Sequence, residues 1–249
     1  MSGGGATTAG AAGMSAAGAA GAPPMAPPCD QIPSLAKGDG SFTVSSPAFA
    51  SCMPIPAEHT CDQKPFPQGT SFAFSWTAGP SGTQSYAVVF KDLAVIARTS
   101  PTDSNYNKGF HWVMWDIPTT TTMLPASMKP GHLYPDIPGA RQWSNFNDYA
   151  FFGPCPNFDP ATAAIYDDTY AIVVYALPFG KSSISPPTPG VSTVRQFDDY
   201  FKGAALAVAE YRGTSNAHAS EIPDGVLPPM TQPPCATTCQ LATACLMAP

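Results

Sequence analysis

Hydrophobic alternation is the strongest signal along this chain. Residues 110–118, FHWVMWDIP, alternate with period two, which puts His111, Val113, Trp115 and Ile117 on one face. Phe110, Trp112, Met114 and Asp116 fall on the other. Both faces carry large aromatics, so the run predicts an interior strand covered on both sides. Further strands are predicted at 42–44 (FTV), 72–76 (FAFSW), 86–92 (YAVVFKD) and 170–177 (YAIVVYAL), between segments rich in Gly, Pro, Ser and Asn. Residues 118–138 read as mostly irregular, and Gly153-Pro154-Cys155-Pro156 as a stiff turn. One helix is predicted, over 194–212, where Phe197, Phe201, Ala204, Ala205, Val208 and Ala209 recur at three- and four-residue spacing. Ser192 or Thr193 would cap it, Asp198 and Asp199 suit its positive end, and Gly213 would stop it.

Composition narrows the class. Thirty prolines and 21 glycines in 249 residues favour a loop-rich, strand-rich fold over a helical bundle. Seventeen acidic against 11 basic residues leave a net charge of -6, which argues against nucleic acid or an anionic membrane as a broad surface partner. No apolar stretch approaches the length of a membrane span, so no transmembrane segment is expected. Residues 1–28 are uncharged and dominated by Gly, Ala and Pro, and read as a disordered tether. A domain is expected over 29–220, followed by a Pro- and Cys-rich tail over 221–249. The tether lacks the basic start and apolar core of a secretory signal. It has the composition of a spacer after a signal peptide or lipidated cysteine, so the expected location is the bacterial periplasm, cell envelope or exterior.

Seven cysteines (Cys29, Cys52, Cys61, Cys155, Cys235, Cys239 and Cys245) read as disulfides in an exported protein. The sequence leaves their connectivity open. Cys52–Cys61 is the shortest closure in the core, the tail cysteines would close on one another or on Cys29, and Cys155 is the expected free thiol. Cys235, Cys239 and Cys245 have no histidine companion for zinc, and no metal or cofactor is expected. The chain carries no nucleophile elbow, zinc-protease helix motif or phosphate-cradling lysine loop. Glu58-His59 with Cys61 and Asp62 reads as a turn. An Asp168–His111 pair would lack a nucleophile. The expectation is a protein that is not an enzyme.

The order of the pieces carries a resemblance. FTVSSPAF, IPAEHTCD, FAFSWTAGPSGTQSYAVVF, HWVMWDIP, LPASM, PGARQWSNF, GPCP, YAIVVYAL and LAVAEYRG follow one another as in the phosphatidylethanolamine-binding protein family, most closely its bacterial Raf-kinase-inhibitor-like branch. The match covers roughly 42–213. It implies a mainly β fold, with a large antiparallel sheet, a smaller second sheet and a C-terminal amphipathic helix near a small anion pocket. The pocket would take a phosphate, a phospholipid headgroup or a carboxylate. Carried over residue by residue, its walls are Asp92, His111, the loop Gly153, Pro154, Cys155 and Pro156, and Tyr170. An imidazolium at His111, favoured by Asp92, would donate to the oxyanion.

Departures from the family pattern bear on that pocket. The expected Asp-Pro-Asp-x-Pro turn reads Asp92-Leu93-Ala94-Val95-Ile96, and the second pocket histidine is replaced, by spacing from Tyr170, with Asp168. A carboxylate there would oppose a phosphate or pair with His111. Two alternatives stand beside the binding reading. One is a protease or kinase inhibitor acting through the pocket rim. The other is a scaffold whose pocket is filled by its own side chains, for which the loop over residues 157–169 is a candidate.

Overall fold

The alternating apolar runs pair into two sheets. The computed structural model describes residues 28–61, 70–145, 149–155, 167–184 and 191–217. Pro156, the stretch 157–166 and the tail cysteines lie outside these, as does nearly all of the tether. Strands β1 (Val44–Ser45), β2 (Phe74–Trp76) and β5 (Met123–Leu124) form a small antiparallel sheet in the order β1-β2-β5. Strands β3 (Ser85–Asp92), β4 (Phe110–Pro118), β6 (Arg141–Ser144), β7 (Asp168–Leu177) and β8 (Ala207–Ser215) form a larger one in the order β6-β4-β3-β7-β8. Two helices complete the described fold, α1 (Leu93–Arg98) and α2 (Thr193–Ala204).

The large sheet is buried on both faces, as the two-sided aromatic pattern requires. One face packs Phe90, Trp112, Met114, Tyr170 and Ile172 against Phe72, Phe74 and Trp76 beside the small sheet. The other packs Val89, Val113, Trp115 and Tyr175 beneath Val194, Phe197 and Phe201 of α2. Beneath this helix, Lys91 Nζ lies 2.7 and 2.9 Å from the two carboxylate oxygens of Asp198, and the Tyr175 hydroxyl donates to the same carboxylate at 2.5 Å. Asp198 therefore satisfies a buried cation instead of facing the helix terminus.

Strand β4 is interior, between β6 and β3, but its alternation breaks twice. From Tyr86↔Ile117 to Val88↔Met114, β3 advances two residues while β4 advances three. From Phe90↔Trp112 to Lys91↔Phe110, β3 advances one and β4 two. Each step is a bulge with one extra residue on β4. The first contains Asp116, at φ 56°, whose carboxylate accepts the Ser182 N–H at 2.8 Å. The second contains His111. As a result His111 faces Phe90 and Tyr170, on the side occupied by Trp112, while Val113 and Trp115 pack on the opposite face. The face assignment expected from strict alternation is overturned by these bulges.

The predicted long helix is also corrected. Ser192 caps α2, its Oγ accepting the Arg195 N–H at 3.1 Å, but the helix ends at Ala204. Residues 207–215 instead pair with β7 along their length, from Ala176↔Ala207 to Asp168↔Ser215. Sheet pairing outweighs the helical tendency of Ala207 and Ala209. Gly213 is thus a strand residue: a Cβ there would sit 2.6 Å from both Ile55 and Phe49 side chains, which cross over it.

Candidate functional site

Four separate segments meet at one end of the large sheet. Asp92 ends β3 and caps α1, its Oδ1 accepting the Val95 N–H at 2.8 Å. The register sets Asp92 directly across from Tyr170. Tyr170 stacks on Phe90 at 5.5 Å, and Asp168, two residues earlier, projects to the same side of β7. The bulge turns His111 into this group, where its ring stacks on Phe152 at 4.5 Å. His111 Nδ1–H donates to the Gly153 carbonyl at 3.1 Å.

The segment carrying Phe152, Gly153, Pro154 and Cys155 is fastened to the single-turn helix Ala57–His59 and the residues just after it. A disulfide joins Cys61 to Cys155, and the Cys61 N–H donates to the Pro154 carbonyl at 3.1 Å. A Cβ on Gly153 would lie 2.2 Å from the His59 carbonyl oxygen, so this position admits only glycine without movement. The close approach at Gly153 is thus made to the backbone of His59. Cys155 is not a free thiol, and Cys52 pairs with Cys29 instead of Cys61. Short chain separation does not set the pairing, because the fold brings residues 94 apart in sequence to a Cα distance of 5.4 Å.

Asp168 does not pair with His111. It is fully buried and makes a two-pronged ion pair with Arg98, Nη1–Oδ1 2.5 Å and Nη2–Oδ2 2.8 Å. Arg98 closes α1, a helix that takes up the sequence Asp92-Leu93-Ala94-Val95-Ile96 where the family pattern has a turn. The signal for it was indirect: a carboxylate at 168 inside a buried strand requires a cation.

Burial sets the electrostatics. It pushes the His111 pKa down to about 3, only partly opposed by the Gly153 and Phe152 carbonyls, so the ring is neutral at physiological pH. The expected imidazolium is absent because the ring is dry and has no carboxylate partner. Burial, and then the Asp168 charge, raise the Asp92 carboxyl well above the usual range, against the Val95 N–H and Arg98. Burial and the charges of Asp92 and Asp168 likewise raise the Tyr170 phenol. The Tyr170 hydroxyl lies near Asp92 and the Cys155 amide, yet makes no hydrogen bond of ordinary geometry with either. For Arg98, the Asp168 carboxylate outweighs burial and the pKa rises. The cluster therefore holds one balanced ion pair, a neutral imidazole and two acids, Asp92 and Tyr170, whose ionisation is disfavoured by burial. Pro156, the last expected wall residue, lies outside the described residues. Among the described residues no His, Cys, Asp and Glu group is placed to hold a metal, and no helix is long and apolar enough to cross a membrane.

Comparison with known proteins agrees with this architecture. The family model for phosphatidylethanolamine-binding protein matches residues 45–216. A UPF0098 protein of Aquifex aeolicus is 29% identical over 120 residues, 48% of this chain and 61% of the relative. The UPF0098 protein YbcL of Escherichia coli is 38% identical over 90 residues, 35% of this chain and 44% of the relative. The chain thus spans about half the length of these two relatives. The putative lipoprotein LppC of Mycobacterium tuberculosis is 26% identical over 176 residues, 69% of this chain and 73% of the relative. The crystal structure of Escherichia coli YbcL, described as a new member of the mammalian PEBP family, superposes with a TM-score of 0.52 at 22% identity. It covers 70% of this chain and 98% of that one, which shows a common fold. With the family model covering the large sheet, all but Val44 of the small one and every described residue of the His111 cluster, the chain belongs to the phosphatidylethanolamine-binding protein family.

Proposed function

We propose that this chain is a non-catalytic binding protein that takes a small oxyanion, a phosphate or a carboxylate, at the cluster of Arg98, Asp92, His111 and Tyr170. The observation that carries the reading is the convergence of four chain segments on one polar cluster, in which the buried Tyr170 hydroxyl makes no hydrogen bond of ordinary geometry. A buried hydroxyl without a well-formed hydrogen bond costs stability, and a ligand oxygen would relieve that cost. The cationic donor in this reading is Arg98, not His111. The non-catalytic reading is supported by the sulfurs: Cys61 and Cys155, the thiols beside His59 and Gly153, are joined to each other and neither is a nucleophile. The two disulfides, together with a relative described as a putative lipoprotein, favour an exported protein of the cell envelope.

The test is thermal unfolding with inorganic phosphate, phosphoethanolamine, acetate and citrate, on wild type and Tyr170→Phe. A ligand at a hundred times its Kd stabilises by about 2.7 kcal/mol, roughly 5–10 °C for a domain of this size. A shift of that order in the wild type, lost in Tyr170→Phe, supports the reading. An unchanged shift in the variant puts the anion elsewhere, and no shift with any anion removes the reading. The burial of Asp92, His111, Asp168 and Tyr170, each 3% exposed or less, favours a second reading in which the cluster is filled by its own side chains.

A further inference from the structure

We infer that the Asp168 carboxylate is an internal occupant of the site, holding the guanidinium that an external oxyanion would use and thereby setting which oxyanions bind. This rests on the binding reading above and concerns its selectivity. The two parallel contacts from Arg98 are the fork arrangement in which a guanidinium grips a free carboxylate or phosphate. The two partners differ in freedom. Asp168 is fully buried on β7, where it pairs with Ser215 of β8, whereas Arg98 ends a six-residue helix and keeps 29% of its side chain exposed. The cation is reachable from solvent and the carboxylate is not. A second observation makes a plain structural strut an incomplete account. The Tyr170 hydroxyl, fully buried on the same side of β7, lies near Asp92 but makes no hydrogen bond of ordinary geometry with it. An oxyanion drawn to Arg98 would offer this hydroxyl a well-placed acceptor.

The competition has a direction. An incoming anion has to displace Asp168 from Arg98 or share the guanidinium with it, and the two negative charges repel at close range. Every oxyanion is weakened, and a singly charged carboxylate more than a doubly charged phosphate, since it offers Arg98 no more than Asp168 already does. Asp168 is in this sense a specificity-determining residue that disfavours ligands resembling itself.

The experiment is a calorimetric titration with inorganic phosphate, phosphoethanolamine and acetate. It compares wild type, Asp168→Asn, Tyr170→Phe and the double variant Asp168→Asn/Arg98→Gln. Asparagine keeps the shape of Asp168 and removes its charge. The expected result is at least tenfold tighter binding to Asp168→Asn, with acetate gaining most and the gain absent from the double variant. Wild-type binding that is lost in Tyr170→Phe but unimproved in Asp168→Asn overturns this inference and leaves the binding reading standing. No binding to wild type or Asp168→Asn, both folded by near-UV circular dichroism, removes both. If Asp168→Asn does not fold, Asp168→Ser takes its place in the same comparison. An Arg98-dependent gain there carries the inference, and no gain overturns it.

Discussion

His111 enters the folded protein without its proton, because the buried ring gives up water and gains only backbone carbonyls in return. The unfolded chain takes up that proton near the ordinary value of 6.5, the folded one only at about 3. His111 therefore costs nothing above pH 6.5, and lowers stability progressively as the pH falls from 6.5 toward 3. Its imidazole resonances are expected to stay in the neutral position from pH 8 to pH 4 by NMR, and a midpoint near 6.5 would refute the burial argument. Asp92 runs in the opposite direction. With its folded pKa raised, its contribution is full below the ordinary 3.8 and is lost as pH rises through the folded value. Asp92→Asn keeps an oxygen to accept the Val95 N–H and removes the titration. In urea unfolding the variant should gain on wild type at pH 8 relative to pH 4, and equal differences at the two pH values would contradict this. The grouping of Asp92, His111 and Tyr170 was legible in the sequence, but their protonation was not, since it depends on the dielectric around each group.

Among elements, the instructive cases are β4, the junction of α2 with β8, and the fastened loop. Strand β4 was read at its observed bounds, and only the bulges, which arise in register with β3, escaped the alternation pattern. The stripe from Phe197 to Ala209 looked continuous because alanines suit either structure, and pairing with β7 decided for a strand. Beneath α2, the Lys91–Asp198 pair is buried from both sides, with side-chain exposures of 5% and 6%. Removing one partner strands the other charge, so Asp198→Leu should cost about 3–5 kcal/mol. Lys91→Met combined with Asp198→Leu should recover most of that loss in denaturant titrations, and additive losses would show that the pair is not the unit. Gly153→Ala should cost about 1–3 kcal/mol by overpacking, because its Cβ would meet the His59 carbonyl.

At the scale of the whole molecule, long-range links tie the chain together. Arg212 on β8 donates to the carbonyls of Cys29, Ile32 and Pro33, and Cys29 is bonded to Cys52, so the segment before β1 is held against the sheet. The Cys61–Cys155 bond spans 94 residues and the Cys29–Cys52 bond 23. On loop entropy they stabilise by about 4.5 and about 3.5 kcal/mol, so Cys61→Ser/Cys155→Ser should be the more damaging replacement. Peptide mapping without reductant should recover these two linkages, and a Cys52–Cys61 peptide would refute the pairing.

The amino-acid order alone determined the strand-rich class, the principal strands, a helix cap at Ser192 or Thr193 and the family. These rest on local properties, namely side-chain alternation, capping chemistry and the succession of short motifs. Only the tertiary structure decided the cysteine partners, the end of α2, the direction His111 faces and the union of Arg98 with Asp168. Each of those depends on which groups meet across long stretches of chain and on how much water remains between them, and neither quantity is written in residue spacing.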